Sequence, residues 1–220
     1  MSIFKNSAVV TNFPSALASK VLELEYEREH SGVHTTPDET ANVIEVFFQH
    51  LARIWIAELL HLAVRDPNCF EQASEERILR TVYDSTVGGR APRTIGSWVS
   101  IARNIQVFFA QRNLATLTKG LEQVDFGTYG DSEHPVARLI AFRNDFAHGS
   151  FQALTENIDE HYFLLAALFE RIPGLWEQPL WTAKDGLWYT CKHDAQEDKG
   201  ALSSDAELPT ELESVAANAG

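Results

Sequence analysis

Apolar residues recur every three or four positions in six segments of the chain, which is the spacing of one face of an α-helix. The longest segment is apolar around most of its circumference, with residues such as Ile44, Trp55 and Leu59, so we expect it to lie at the centre of the fold. Turn residues such as Gly88-Gly89 and Pro173-Gly174 separate the segments. The predicted helices cover residues 12–29, 39–64, 72–84, 94–118, 132–147 and 153–171.

The pattern changes beyond residue 175, where two short runs rich in aromatic and β-branched residues replace the helical spacing. Residues 180–182 and 187–190 flank Ala183-Lys184-Asp185-Gly186, which predicts a short β-hairpin. From residue 194 the chain is acidic and nearly free of large apolar side chains, which is typical of a flexible tail. We therefore expect an all-α antiparallel bundle of five to six helices at residues 1–175, a hairpin appendage at 176–193 and a disordered acidic tail at 194–220.

The composition is that of an ordinary globular protein, with 220 residues, 45% of them apolar and 22% charged. Only two cysteines occur, Cys69 and Cys191, and they do not form a metal-ligand pattern. No stretch reaches the roughly 18 consecutive apolar residues that a membrane span requires, and the first residues do not resemble a signal peptide. The chain is therefore expected to be cytoplasmic and to have no membrane partner.

The net charge of −13 argues at first against a nucleic-acid partner, but the charge is unevenly distributed. Residues 77–143 carry nine Lys and Arg against five Asp and Glu, so one central segment is basic inside an acidic protein. Either these cations line one surface, or they scatter over several helices as solvated side chains. The nine are Arg77, Arg80, Arg90, Arg93, Arg103, Arg112, Lys119, Arg138 and Arg143.

The segment RLIAFRNDFAHG, residues 138–149, combines helical spacing with side chains that suit chemistry. Asn144 and His148 are four residues apart and therefore share a helix face, and Gly149 is a stop signal for the helix. Arg143 lies about 100° around from Asn144, on the face expected to pack inward. A guanidinium at that position needs an acceptor, either a carboxylate of the fold or the phosphate of a ligand.

These residue types favour a role in phosphodiester chemistry. An Arg binds phosphate, and the imidazole of His148 is the side chain best suited to proton transfer near neutral pH. An amide such as that of Asn144 can orient one of them, and no metal or other cofactor is needed. Arg138 and Asp145, on the same helix, are candidate RNA-binding residues. The alternative is that these side chains make only surface and helix-capping interactions.

The sequence RNDFAHG resembles the signature of the HEPN superfamily, in which Arg and then Asn, Asp or His are followed by three residues and a His. The resemblance covers residues 12–172 in helix count and motif placement, and about seven residues in the motif itself. It implies a HEPN-like helical bundle similar to bacterial HEPN ribonucleases, which are metal-independent and form one site from two copies of the motif. Because one copy is found here, the resemblance implies a homodimer.

The resemblance also implies a role for each motif residue. Arg143 would stabilise the scissile phosphate, His148 would act as general acid or base, and Asn144 would orient or support them. RNA, a second copy of the chain and an antitoxin or defence-system protein are the implied partners, in a toxin or antiviral-defence setting. HEPN toxins paired with nucleotidyltransferase antitoxins often carry a Tyr two residues after the His. Gly149-Ser150 follows here, so that mode of regulation is not implied.

Other functional classes remain open from the sequence. The acidic total favours a non-catalytic helical module that binds RNA, a nucleotide or a protein partner. His30 and His34, with Glu27 and Glu29 nearby, have a spacing that suits a metal, although a solvated loop is the simpler interpretation. A metal-dependent hydrolase would need a further ligand constellation, which the sequence lacks.

Overall fold

The computed structural model describes residues 15–31, 36–71, 73–86, 94–118, 120–128, 130–149, 157–171, 180–184, 187–194 and 199–203. These residues form six α-helices, and their mostly helical character confirms the class predicted from the apolar spacing. The helices are α1 Ser15–His30, α2 Pro37–Arg65, α3 Ala73–Thr86, α4 Ile95–Gln111, α5 Pro135–Ala147 and α6 Ile158–Glu170, with 3₁₀ turns at Pro67–Phe70 and Leu121–Gln123.

Helix α2 is the centre of the helical body, as its apolar circumference predicts. It packs against α1, α4, α5 and α6. Trp55 and Leu59 are fully buried within it. Aromatic contacts link it to its neighbours, since the Phe47 ring centroid lies 4.6 Å from that of Phe169 on α6, and the Trp55 ring lies 5.6 Å from Phe109 on α4. The segments around α2 are therefore positioned by burial against one helix.

Helix α4 ends at Gln111, so the prediction that it continues to residue 118 was wrong. Asn113 adopts a left-handed backbone conformation with φ of +53°. Its N–H donates to the Ala110 carbonyl and the Leu114 N–H donates to the Phe109 carbonyl, which is the Schellman pattern of a helix end. Asparagine tolerates this conformation better than most residues. Because Asn113 and not a glycine stands at this position, the helix end had no glycine signal in the sequence.

Three strands form an antiparallel sheet in the order β1 Leu180–Lys184, β2 Leu187–Asp194 and β3 Lys199–Ser203. The backbones of β2 and β3 lie against α1. Strand β3 lies within residues 194–220, the range predicted as a disordered tail. Residues 172–179, 195–198 and 204–220 lie outside the described residues, so the predicted limits of the appendage and the rest of the predicted tail stay predictions. The predicted helix starts at residues 12 and 153 also lie outside them.

Within the described ranges, no helix combines the length and the apolar character that crossing a membrane requires.

Candidate functional site

The start of α5, the helix that carries the RNDFAH motif, is fixed by contacts in the preceding loop. The Nδ1 atom of His134 accepts a hydrogen bond from the Val136 N–H at 3.2 Å, which caps the helix. Asp125 lies 3.3 Å from Nε2 of His134 and accepts a hydrogen bond from the Gly127 N–H at 2.8 Å. The hydrogen bond from the Gly127 N–H is the main cause that holds the pKa of Asp125 below its ordinary value, and His134 contributes a smaller lowering effect.

Gly127 is required at its position for two reasons. Its φ is +69°, in the left-handed region, and a Cβ on it would lie 2.5 Å from the His134 ring. Helix α4 holds the rest of this loop, because Arg103 donates to the Phe126 carbonyl at 2.5 Å and Gln106 donates to the Val124 carbonyl at 2.6 Å. The position of α5 is therefore set by the loop and α4, before the motif begins.

The end of α5 places His148 at the helix C-terminus. The main-chain N–H of His148 donates to the Asn144 carbonyl at 3.0 Å, and its side chain is exposed. Gly149 follows with φ of +81° and donates to the Phe146 carbonyl at 3.0 Å. The predicted stop at Gly149 is thus confirmed, and its physical reason is the left-handed conformation that closes the helix.

The motif residues lie on different faces of α5. The buried face presents Val136, Leu139 and Phe142 to the core, and Arg143 lies at its edge. At about 100° per residue, His148 is about 40° around the helix from Asn144 but about 140° from Arg143. The structure therefore brings Asn144 and His148 to one outward face, while Arg143 points to a different side.

Arg143 binds a carboxylate of the fold. Oε2 of Glu45, on α2, accepts hydrogen bonds from Nε of Arg143 at 2.9 Å and from its second terminal nitrogen, Nη2, at 2.5 Å. Both side chains are partly buried, with 22% of Arg143 and 34% of Glu45 exposed. The acceptor that Arg143 requires is therefore Glu45, and the pair connects α2 to α5.

The two candidate RNA-binding residues lie on the α6 side of α5. Nη2 of Arg138 lies 2.6 Å from Oε2 of Glu160. This hydrogen bond raises the pKa of Arg138 and lowers the pKa of Glu160. Asp145 is exposed. The structure therefore places Arg138 and Asp145 away from Arg143.

His161, on α6, packs against α5. Its ring stacks on Phe142 with 4.4 Å between centroids, and its Nδ1 lies 2.8 Å from the main-chain oxygen of Asn157. Burial lowers the pKa of His161, with the charge of Arg138 adding to the effect, while the hydrogen bond to Asn157 and the charge of Asp145 oppose it. Because a main-chain oxygen can only accept a hydrogen bond, the ring donates this bond from its Nδ1–H group.

Sequence reasoning missed both Glu45 and His161. Glu45 carried a signal, since it is an acidic residue between Ile44 and Val46 in a strongly apolar stretch. An acid there indicates a cation in a neighbouring element. His161 carried no signal of comparable strength, because its position depends on how α6 packs on Phe142.

The described arginines of the basic segment have separate partners. Arg103 binds the loop before α5, Arg138 binds α6, Arg143 binds α2, and Arg112 lies 5.1 Å from the Phe108 ring centroid. Arg77 and Arg80 are exposed on α3, and residues 90, 93 and 119 lie outside the described residues. This distribution favours the scattered interpretation over a single basic surface.

The histidine pair considered for a metal is only half described. Nδ1 of His30 lies 2.8 Å from the Tyr26 main-chain oxygen, and the two rings stack at 4.1 Å. His34 lies outside the described residues, so this hypothesis stays untested. In the part of the chain that the structure covers, no group of three His, Cys, Asp or Glu side chains is placed to hold a metal ion.

The stability of the fold is expected to depend on pH through His50, on α2. Burial, with the charge of Arg53 adding to it, lowers the pKa of His50 to about 4. His50 becomes protonated near pH 6.5 in the unfolded chain but only near pH 4 in the folded chain. Stability should therefore fall as pH drops through this window, by roughly 2–3 kcal/mol from His50 alone.

Urea titrations of the wild type and His50→Gln between pH 7 and 4.5 measure this contribution. The variant should lose less unfolding free energy over the window, since the carboxylates contribute equally to both proteins. If the unfolding free energy changed equally with pH in the two proteins, the proposed contribution of His50 would be contradicted.

The chain matches no protein-family model, and no curated protein or solved structure matches it significantly. The HEPN resemblance therefore rests on the RNDFAH residues and on their setting, near the end of one helix and followed by another.

Proposed function

We propose that the protein is a metal-independent endoribonuclease of HEPN type, which cleaves RNA at a site shared by two copies of the chain. The observation that carries the proposal is the exposed imidazole of His148 at the C-terminus of α5, on one face with Asn144. A proton-transfer group that is to meet RNA must be accessible, and His148 is. A toxin or antiviral-defence role, with an antitoxin or defence-system protein as a further partner, follows from the family analogy.

The reaction needs only groups that the chain supplies. The RNA 2′-hydroxyl attacks the adjacent phosphorus and gives its proton to a base, and the departing 5′-oxygen receives a proton from an acid. His148 serves as one of these two groups. Arg143 stabilises the charge on the phosphate oxygens, and Asn144 orients the reacting groups. The products are a 2′,3′-cyclic phosphate and a free 5′-hydroxyl.

The divergence of Arg143 and His148 supports the two-copy arrangement. Within one chain they point about 140° apart around α5 and are separated by about 7.5 Å along its axis. A single phosphate is therefore not well placed to meet both groups of one chain. A second copy facing α5 would supply the missing partner.

The assay incubates the purified protein with RNA and with DNA of the same sequence in EDTA. We expect cleavage of the RNA alone, because DNA lacks the 2′-hydroxyl, and a specific activity that rises with protein concentration as dimers form. Cleavage that appears only when EDTA is left out, or intact RNA under every activating condition tried, would overturn the proposal.

A second candidate is a non-catalytic helical module that binds RNA, a nucleotide or a protein. The ion pairs of Arg143 with Glu45 and of Arg138 with Glu160 favour it, because both cations already have partners. Binding of labelled RNA without cleavage, unchanged in His148→Ala, is the result that would select this candidate.

A further inference from the structure

We infer that Glu45 is the positioning residue of Arg143, and that it sets the orientation in which the guanidinium meets a phosphate. The inference rests on the proposed function. It starts from the geometry of the pair, in which one oxygen of Glu45 accepts from both Nε and Nη2 of Arg143. These two nitrogens form one edge of the planar guanidinium, so the contact fixes the plane as well as the position.

Glu45 is itself held in place along α2. Nε2 of Gln49, one helical turn further on, donates to Oε1 of Glu45 at 3.0 Å. One carboxylate oxygen is thus bound by Gln49 and the other by Arg143. This chain of contacts therefore connects Arg143 to α2, the helix that packs against α1, α4, α5 and α6.

The donors that remain on Arg143 are those a phosphate needs. A guanidinium has five N–H groups, of which the contact with Glu45 uses two. Among the described residues, the contacts of Arg143 leave both N–H groups of Nη1 and one of Nη2 without a protein acceptor, on the edges turned away from Glu45. A planar cation with one edge bound and another free is preorganised to bind a second anion.

The contact of Arg138 with Glu160 differs from that of Arg143 with Glu45 in the atoms that it joins. There the contact joins Nη2 of Arg138 to one carboxylate oxygen, and the carboxylate is 49% exposed. A single contact at the tip of the side chain leaves the guanidinium free to rotate. The contact at Nε distinguishes Arg143, and it is the feature expected of an arginine whose orientation matters.

The test measures single-turnover RNA cleavage by the wild type, Glu45→Gln, Arg143→Lys and the double variant. Glu45→Gln removes the charge but keeps an oxygen, and it should lower the cleavage rate about 10-fold with less than about 3-fold change in KM, from the loss of charge-assisted hydrogen bonding. Lysine lacks Nε, so Glu45→Gln should have little further effect in the Arg143→Lys background.

The matched control is Asp159→Asn, which removes the carboxylate of an Arg–Asp ion pair between α6 and α1. It should leave the cleavage rate unchanged while lowering Tm about as much as Glu45→Gln. Equal cleavage by Glu45→Gln and wild type would overturn the inference and leave the proposed function standing. An additive double variant, or faster cleavage by Glu45→Gln, would overturn it too. A folded wild type that cleaves no RNA overturns the proposed function and the inference together.

Discussion

Replacing His148 by alanine is expected to slow RNA cleavage by about 10²–10⁴-fold, the usual contribution of a general acid or base. The fold should be unaffected, because the side chain is exposed and the bond that ends α5 comes from the main-chain N–H. Initial rates on an end-labelled RNA in EDTA, together with Tm, measure both effects. A large loss of rate at constant Tm would assign the imidazole to the reaction.

His30→Ala is the matched control for this variant. His30 is also an exposed histidine at the end of a helix, and its ring lies against main-chain oxygen of the preceding turn. We expect His30→Ala to cleave RNA at the wild-type rate. If both variants keep the wild-type rate, His148 has no part in proton transfer, and if both lose it, the effect is not specific to the motif.

Replacing Glu58 by alanine is expected to lower the free energy of unfolding by about 2–4 kcal/mol, because it removes the acceptor of the buried Thr118 N–H and of the part-buried Leu117 N–H. Glu58, on α2, is 6% exposed, and its two oxygens accept from the N–H of Leu117 at 2.9 Å and of Thr118 at 2.6 Å. These bonds hold the segment that follows α4. Urea unfolding followed by circular dichroism measures the change.

Two further variants make this result interpretable. Glu58→Gln keeps one acceptor oxygen and should show about half the loss, since one of the two N–H groups stays paired. Glu170→Ala removes an exposed glutamate from α6 and should cost less than about 0.5 kcal/mol. An unfolding midpoint for Glu58→Ala equal to that of Glu170→Ala would show that the buried carboxylate does not stabilise the fold.

Helix positions were predictable wherever a continuous apolar face had to be buried. The limits of α2 were predicted to within a few residues, because Pro37 suits the first turn of a helix and Pro67 follows directly after its end. The end of α4 was not, because the apolar spacing continues into Leu114 and Leu117 while the backbone has already turned at Asn113. A residue that tolerates a left-handed conformation does not demand one, so the sequence left this boundary open.

The relative positions of the candidate site residues on α5 were predictable from the sequence, but their partners on other helices were not. Spacing alone placed Asn144 beside His148 and put Arg143 on a separate, inward side. The partner of Arg143 depends on the rotation of α2 against α5, which packing of the whole body decides, so Glu45 could be named only from the structure. The same holds for His161, whose environment is made by residues of both α5 and α6.

The stacking of His161 on Phe142 has a practical consequence. Protons of an imidazole held 4.4 Å from the centre of a benzene ring lie within its shielding cone, so their magnetic resonances are displaced to high field. This displacement vanishes when the rings separate. The ring protons of His161 thus report how α6 packs on the helix of the RNDFAH motif. A one-dimensional proton spectrum of the unlabelled protein can follow them while RNA or a second chain is added.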